Sequence, residues 1–344
     1  MSLLNFLLDN NAFSTAELSD AINVDAQPRW GRIRDLNLFP SQSVRSPSVA
    51  IERQNDVLHL LPSTARGAPG TVGKVGKRDM AILNLSHFEH DDYVYADDVQ
   101  SIRAFGSETE MMQLQDLVDQ KLQTAQFKHD ATLEFLRAGA LRGQILDADG
   151  STILDLFTEF GVTEQAEDFD FAGTPDVYAS CMSVLRFIED NLLGDVMTGV
   201  HALCSPEFFD ALIADTKVQE AYKCYTSTEE PLRNEVRCSF PYAGIVVEEY
   251  RGQFSALNED GTTTVRRLIP AGEARFFPLG TSNTFKTYFG PADYIEAVNL
   301  PGLELYAKTL PDPSGKNKFV TLTPQMNPLP ICLRPQILVR GTST

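Results

Sequence analysis

From residue 48 the chain alternates. Val49, Ile51 and Arg53 fall on one face of an extended segment and Ala50, Glu52 and Gln54 on the other, a period of two that predicts a strand. A second strand-like run, "MAILNLSHF", follows at 80–88, with Ala81, Leu83 and Leu85 sharing a face. Between the two lies "PSTARGAPGTVGKVGKRD" (62–79), and structureless connections beyond about 12–15 residues are uncommon in compact domains unless they are functional or mobile. The pair therefore reads as a long two-stranded excursion with a glycine-rich tip.

The period then changes to that of a helix. Apolar or small residues recur at Met111, Leu114, Val118, Leu122, Ala125, Leu133, Leu136 and Ala140, with His129 in the same stripe. "SETE" (107–110) fits a capping box, and Gly143 suits a left-handed stop. A helix over 107–142 would be roughly 50 Å long. A compact globule of this chain length has a radius of gyration of about 20 Å, so such a helix implies a flat or elongated subunit completed by neighbours.

"GQILDADGSTILDLF" predicts a hairpin closed by a tight primed turn at Asp149-Gly150. "TPDVYASCMSVLRFIEDNLLG" predicts a helix capped by Thr174, opened by Pro175 and ended at Gly194, with Val177, Cys181, Val184, Ile188 and Leu192 as its buried stripe. "TGVHALCSPEFFDALIAD" reads as strand then helix, capped by Ser205 and opened by Pro206. "YAGIVVEEY", "ARFFPLG", "NKFVTLT" and "QILVRG" are strand-like, and the prolines at 311, 313, 324, 328, 330 and 335 assign that tail to edge strands and corners. Before all this, residues 1–30 read as an arm with two short amphipathic turns, "LLNFLLD" and "NNAFSTAELSDAIN". Separate helices with antiparallel strands make the class α+β, without an internal repeat.

Composition narrows the chemistry. Hydrophobic residues at 43% and charged residues at 22% are ordinary for a protein with a real core, and 344 residues allow two domains or one elaborate one. The N-terminal run lacks a basic start and a small-residue cleavage site, so no secretory signal is expected. No apolar run approaches the roughly 18 residues of a membrane span, so the expectation is a soluble protein. Asp and Glu number 47 against 29 Lys and Arg, a net charge of -18, which argues against gripping nucleic acid. "ARGAPGTVGKVGKRDM" (65–80) is thus a basic island in an acidic chain, and its complement could lie on another copy of the same chain.

Catalytic and metal motifs fail on spacing. Gly70 to Gly76 encloses five residues and Lys77 is followed by Arg78, so the island is no phosphate loop. His87, Glu89 and His90 match no metalloenzyme motif, and on a strand only His87 and Glu89 share a face. "DADG" lacks the later ligands of a calcium loop and reads as a turn. His201 and Cys204, three apart on a strand, face opposite sides and form no dyad. The acidic pairs Asp91-Asp92, Asp97-Asp98 and Glu248-Glu249 read as solvated surface, and Asn84-Leu85-Ser86 is a glycosylation sequon relevant only to a secreted chain. Five widely spaced cysteines (181, 204, 224, 238, 332) fit reduced thiols rather than a disulfide framework. The expectation is no catalytic residue, no metal and no cofactor.

The order of elements, arm, long excursion, long helix, D-x-D-G hairpin, α/β segment and proline-broken strand tail, resembles the lambda-type major capsid protein E family of tailed bacteriophages. The stretches that carry the likeness are "LRGQILDADGSTILDLFTEFGV", "VHALCSPEFFDALI", "GPADYIEAVNLPGLELYAKTL" and "KNKFVTLTPQMNPLPICLRPQILVRG". The resemblance implies a Hong Kong 97-like fold. By position it assigns 1–30 to an N-terminal arm and 48–88 to an extended loop lying across the next subunit. It assigns 31–47, 89–165 and 300–325 to a peripheral domain with its spine helix at 107–142, and 166–299 with 326–344 to an axial domain. It implies a structural role, self-assembly into hexamers and pentamers of an icosahedral head enclosing double-stranded DNA. Arg66, Lys74, Lys77 and Arg78 at the loop tip would contact a neighbouring copy. Partners would be the chain itself, separate scaffold and portal proteins and a decoration or cement protein, with no membrane. The location would be the virion head, after the host cytoplasm. Some relatives cross-link this loop through a Lys–Asn bond; Lys74 and Lys77 are available, and nothing in the sequence identifies an acceptor or a catalytic Glu. A cellular nanocompartment shell protein, a phage tail protein and an enzyme without recognisable motif are the alternatives.

Overall fold

The structure is a computed structural model. It describes residues 15–23, 31–54, 78–95, 98, 110–171, 173, 176–192, 194–225, 240–257, 262–316 and 318–343. In chain order the elements begin with α1 (Thr15–Asn23), α2 (Arg32–Asp35), β1 (Ser41–Ser43), β2 (Ser48–Gln54), β3 (Arg78–Asn84), β4 (Phe88–Glu89) and β5 (Asp92–Tyr95). The long α3 (Glu110–Arg142), β6 (Gln144–Leu146), β7 (Thr152–Asp155), α4 (Leu156–Phe160), β8 (Gln165–Asp168), α5 (Val177–Asn191), β9 (Gly199–Cys204), α6 (Pro206–Ala214) and α7 (Thr216–Tyr225) follow. Then come β10 (Phe240–Tyr242), β11 (Ile245–Glu249), β12 (Gln253–Leu257), β13 (Thr263–Arg267), β14 (Glu273–Leu279) and β15 (Phe285–Phe289). The chain ends with β16 (Tyr306–Pro311), β17 (Phe319–Met326), β18 (Pro328–Cys332) and β19 (Val339–Thr342).

These elements fall into two units. The first takes the described residues of Met1–Val49, Leu83–Glu134 and Thr287–Pro330; the second takes those of Ala50–Ile82, Phe135–Lys286 and Ile331–Thr344.

In the first unit β17 is the centre of a four-stranded sheet, flanked by β16 on one side and by β4 and β5 on the other. One face of this sheet buries Val320, Leu322 and Met326 with Leu18 and Ile22 of α1 and Val118, Leu122 and Leu133 of α3. The stripe read along α3 is the stripe that is buried: Val118, Leu122, Ala125, His129 and Leu133 all face inward. Met111 and Leu114 belong to this helix, and Ser107 of the expected capping box lies outside the described residues. α1, the second turn of the expected arm, is tied to β16 by Ser19 Oγ, which accepts from the Ala307 amide, and by Asn23, which donates to the Leu305 carbonyl. Its partner "LLNFLLD" lies outside the described residues.

In the second unit a six-stranded mixed sheet runs in the order β10-β11-β9-β14-β19-β8. Alternation sorts its residues. Val200, Ala202, Cys204, Ile245, Val247, Ala274 and Phe276 form a core with Val177, Cys181, Val184 and Ile188 of α5 and Phe208, Phe209 and Leu212 of α6. Phe169 fills its centre, stacked on Phe276 at 5.7 Å and edge-on to Phe208 at 5.1 Å.

Four local expectations need correction. The run 80–88 is not one strand: β3 ends at Asn84, and β4 is a separate two-residue strand that joins a different sheet. α5 is capped by Asp176, whose carboxylate accepts from the Ala179 amide; Thr174 and Pro175, expected to cap and open it, lie outside the described residues. The Asp149-Gly150 turn is not of the primed type, which needs positive φ at both residues. Only Gly150 has it, at 90°, and the Gly150 amide donates to the Asp147 carbonyl, so the tight turn is shifted one residue back, with Ala148-Asp149 at its centre. Pro324, assigned to an edge, sits in the central strand β17. It is tolerated there because β5 pairs with 319–322 and β4 with 325–326, which leaves Pro324 in the gap where no N–H is required.

Candidate functional site

Of the four basic residues expected to make the contact, Arg66, Lys74 and Lys77 lie outside the described residues. Arg78 opens β3, which pairs with β2 in a two-stranded ribbon. The ribbon follows the period-two pattern of its sequence: Val49, Ile51 and Leu83 are buried, and Ile82 is exposed. At its root the Leu85 amide donates to the Pro47 carbonyl at 3.0 Å. The ribbon thus presents the basic island as the connection between two anchored strands.

The residues that could carry reaction chemistry are tied up in structure. His201 and Cys204 do project to opposite sides of β9: Cys204 enters the core, and His201 packs against Phe277 on the other face. His201 Nε2 lies 3.2 Å from Glu248 Oε2, and the Cys204 thiol donates to the Glu248 backbone carbonyl. Glu248, read as solvated surface, is instead buried against His201, because strand alternation turns it to the face opposite the core residues Ile245 and Val247; the Glu249 side chain is also buried, only 7% exposed. Burial pushes the Cys181 and Cys332 thiols up to about 12 and raises Cys204 as well, so none is a ready nucleophile. His87 Nε2 and Glu89 Oε2 sit 3.5 Å apart on one side, while the His87 Nδ1 contacts Asn327 at 2.7 Å. His90 takes a hydrogen bond from Lys128 instead. Among the described residues no three His, Cys, Asp or Glu side chains converge as metal ligands. In "DADG" the Asp149 carboxylate accepts from the hydroxyl and amide of Ser151, which hold it below the usual carboxylate range; it is a turn.

A buried ionic cluster lies on the second face of the six-stranded sheet. β14 and β19 place Arg275 opposite Arg340. Arg275 donates to Glu164 at 2.7 Å and to Glu273 at 2.5 Å, and Arg340 reaches Glu164 at 3.3 Å. Burial and the neighbouring Arg275 lower Arg142 to about 10. Charges paired this closely lock strands and a helix end together; they offer no open position for a ligand.

The first unit carries an exposed aromatic cluster. The sheet face turned away from α1 and α3 carries Tyr93, Tyr95 and Phe319, ring to ring at 5.1–6.1 Å, with both tyrosines exposed. Beside it the Tyr294 hydroxyl donates to the Thr323 carbonyl; burial and the carboxylates of Glu89, Asp293 and Asp91 raise its pKa. Those three carboxylates are themselves exposed. The surface is aromatic at its centre and acidic at its margin. Sequence reading missed it, since its members come from residues 89–95, 293–294 and 319.

The model of the phage major capsid protein E family matches residues 14–343. The chain belongs to the phage major capsid protein E family. It is 34% identical over 328 residues to the major capsid protein of Pseudomonas phage KPP10, covering 91% of this chain and 92% of that one. It is 25% identical over 340 residues to the major capsid protein of Salmonella phage Felix O1, covering 90% and 91%. Among solved structures, the mature capsid of bacteriophage PhiM1 aligns with a TM-score of 0.53 at 13% identity, over 94% of this chain and 90% of that one. The fold is therefore the Hong Kong 97-like α+β fold, and this member of the E family is a structural phage capsid protein. A structural role accounts for the described thiols Cys181, Cys204 and Cys332 and for His201 and Glu248, which all serve packing.

Proposed function

We propose that copies of this chain assemble, as hexamers and pentamers, into the closed icosahedral head that encloses double-stranded DNA. The basic residues Arg66, Lys74, Lys77 and Arg78 reach acidic surface on a neighbouring copy. The observation that carries this reading is a separation of charge. A chain of net charge -18 concentrates basic residues between two anchored strands and gathers exposed Glu89, Asp91 and Asp293 around Tyr294. The division into N-terminal arm (1–30), extended loop (48–88), peripheral and axial domains follows the same reading.

The role is non-enzymatic, and the packaged DNA is enclosed without sequence-specific binding, because the charge balance leaves few phosphates to be neutralised. Scaffold, portal and any decoration protein are separate chains, and the subunit waits in the host cytoplasm before it enters the virion. Sedimentation and electron microscopy of the purified chain, alone or with its scaffold, test the reading. Closed shells or capsomers are expected. A stable monomer under every assembly condition would overturn it.

A further inference from the structure

Between β15 and β16 the chain makes a short protrusion, Tyr294–Leu303, with an unusual division between its two sides. Inside, it is anchored. The Tyr294 hydroxyl donates to the Thr323 carbonyl, the Gly302 amide to the Val44 carbonyl at 2.9 Å, and the Leu303 amide to the Tyr306 hydroxyl at 2.9 Å. A single 3-10 turn at Ile295–Ala297 buries Ala297 against Tyr306. Gly302 lies so close to the backbone of Phe289 that a Cβ there would stand 2.1 Å from its carbonyl oxygen. Outside, the protrusion is apolar: Ile295 is 90% exposed, Val298 60%, Leu300 54% and Leu303 41%. Four large aliphatic side chains within nine residues, on backbone pinned from behind, are more than the scattered exposed hydrophobics of an ordinary surface.

We propose that this ridge, Ile295–Leu303, is a contact between two copies of this chain; the proposal rests on the shell reading above and names one of its interfaces. Charge selects the occupant. Two copies at -18 each repel wherever their acidic surfaces meet, so they approach best through neutral patches. The ridge is such a patch. Its only charged residue is Glu296, and Lys308 neutralises it, at 2.6 Å, while lying over the Tyr294 ring at 4.9 Å. Within Ile295–Leu303 a nucleic acid would find no cation, and a basic partner no carboxylate other than Glu296, already paired; the exposed Asp293 lies outside the ridge, before Tyr294. An apolar centre with its one charge already paired is the composition of the desolvated middle of a protein interface. Because the backbone is fixed before contact, little ordering entropy opposes binding.

Cysteine accessibility tests this. Ile295→Cys and, separately, Leu300→Cys are made in the full chain, and maleimide labelling at the new position is followed by peptide mass mapping in unassembled subunits and in shells. Because these side chains are exposed, folding is expected to be unchanged. The expected result is labelling in shells slower by on the order of tenfold at both positions, as for a residue from which an interface excludes water. Oxidative footprinting of the unsubstituted chain is expected to show the same protection over 295–303. Shells in which both positions label as fast as in free subunits overturn the proposal and leave the shell reading standing. Protection that appears only when a different phage protein is added overturns it in favour of that partner. If no assembly forms at all, the shell reading falls and this interface with it.

Discussion

His129 of α3 hydrogen-bonds to the backbone carbonyl of Pro324, which with Thr323 lies in the gap that β17 leaves between β4 and β5. The same carbonyl accepts the His90 amide at 3.1 Å. Nε2 of His129 has no hydrogen-bond partner among the described residues, which leaves Nδ1 as the donor and the ring neutral. A helix face and an interrupted sheet are thereby joined through a single carbonyl.

This ring should make the subunit acid-sensitive. Burial, with help from His90 and Lys128, lowers its pKa from 6.5 to about 4, against the opposing effect of the Pro324 bond. The folded value lies below the unfolded one, so the unfolded chain binds more protons between them. Stability is complete above about pH 6.5 and is lost as pH falls toward 4, by at most about 3 kcal/mol. Asp92, whose burial is outweighed by Lys121, and Asp195, whose burial is outweighed by Ser282, are both held low. They lose their contribution only below the ordinary carboxylate range, outside this window. Urea unfolding of the unassembled subunit at about pH 7 and about pH 4.5 reads the effect. His129→Gln should cost stability at neutral pH and flatten the dependence; a variant with the same pH dependence as the parent would refute the assignment.

The end of α3 is a second weak point. Gly143 has φ 78°, and a Cβ there would meet the Phe157 ring at 2.2 Å, while its carbonyl accepts the Leu156 amide. Gly143→Ala therefore combines a left-handed penalty with overpacking, together about 2–4 kcal/mol. Thermal unfolding of the subunit should fall accordingly, and Gly143→Ala with Phe157→Leu should recover part of the loss by clearing the ring.

Arg275 should behave as a buried charge whose partners depend on it. Its side chain is 8% exposed and bridges Glu164 and Glu273. Arg275→Met removes the buried partner of Glu164 and Glu273 and leaves them only the partly exposed Arg340, at 3.3 and 3.9 Å, and breaking a buried pair from one side costs up to about 3–5 kcal/mol. Adding Glu164→Gln and Glu273→Gln to Arg275→Met should restore much of this in denaturant titration. If the triple variant is no more stable than the single, the cluster is not coupled in this way.

How much of this was legible beforehand follows from the range of each cause. The stripe Val118, Leu122, Ala125, Leu133 is visible because a helix keeps its period whatever it packs against, and Ser205-Pro206 is visible because a cap acts within three residues. Thr174 and Asp176 are both cap-competent residue types two positions apart, so composition alone does not choose between them, and Asp176 caps the helix. Pro324 was misplaced because whether a strand is central depends on residues 88–95, more than two hundred positions away. The ridge at Ile295 was hidden for a similar reason: aliphatic residues look alike until tertiary structure decides which face outward. The fold class needed only local signals, and the contact surfaces needed the folded chain.

The remaining prediction concerns the basic island. Replacing Arg66, Lys74, Lys77 and Arg78 together with glutamate reverses the charge of the segment joining β2 to β3 and leaves the apolar roots Val49, Ile51 and Leu83 untouched. If these charges serve contacts between copies and not the fold of one, helix content and thermal unfolding of the unassembled subunit should hardly change, since solvated charges contribute little to single-chain stability. Assembly should fail or slow sharply, because like charges brought together across an interface cost several kcal/mol, repeated at every contact of a shell. Salt near 1 M shortens the reach of that repulsion to about 3 Å and should partly restore assembly. A further reversal, Glu89, Asp91 and Asp293 to lysine in the same chain, should restore it at low salt if those carboxylates are the partners. Light scattering and electron microscopy read assembly, and calorimetry reads the subunit. A quadruple variant that assembles normally at low salt would show that the island makes no contact between copies. Rescue by salt but not by the second reversal would keep the contact and move its acidic partner elsewhere on the neighbour.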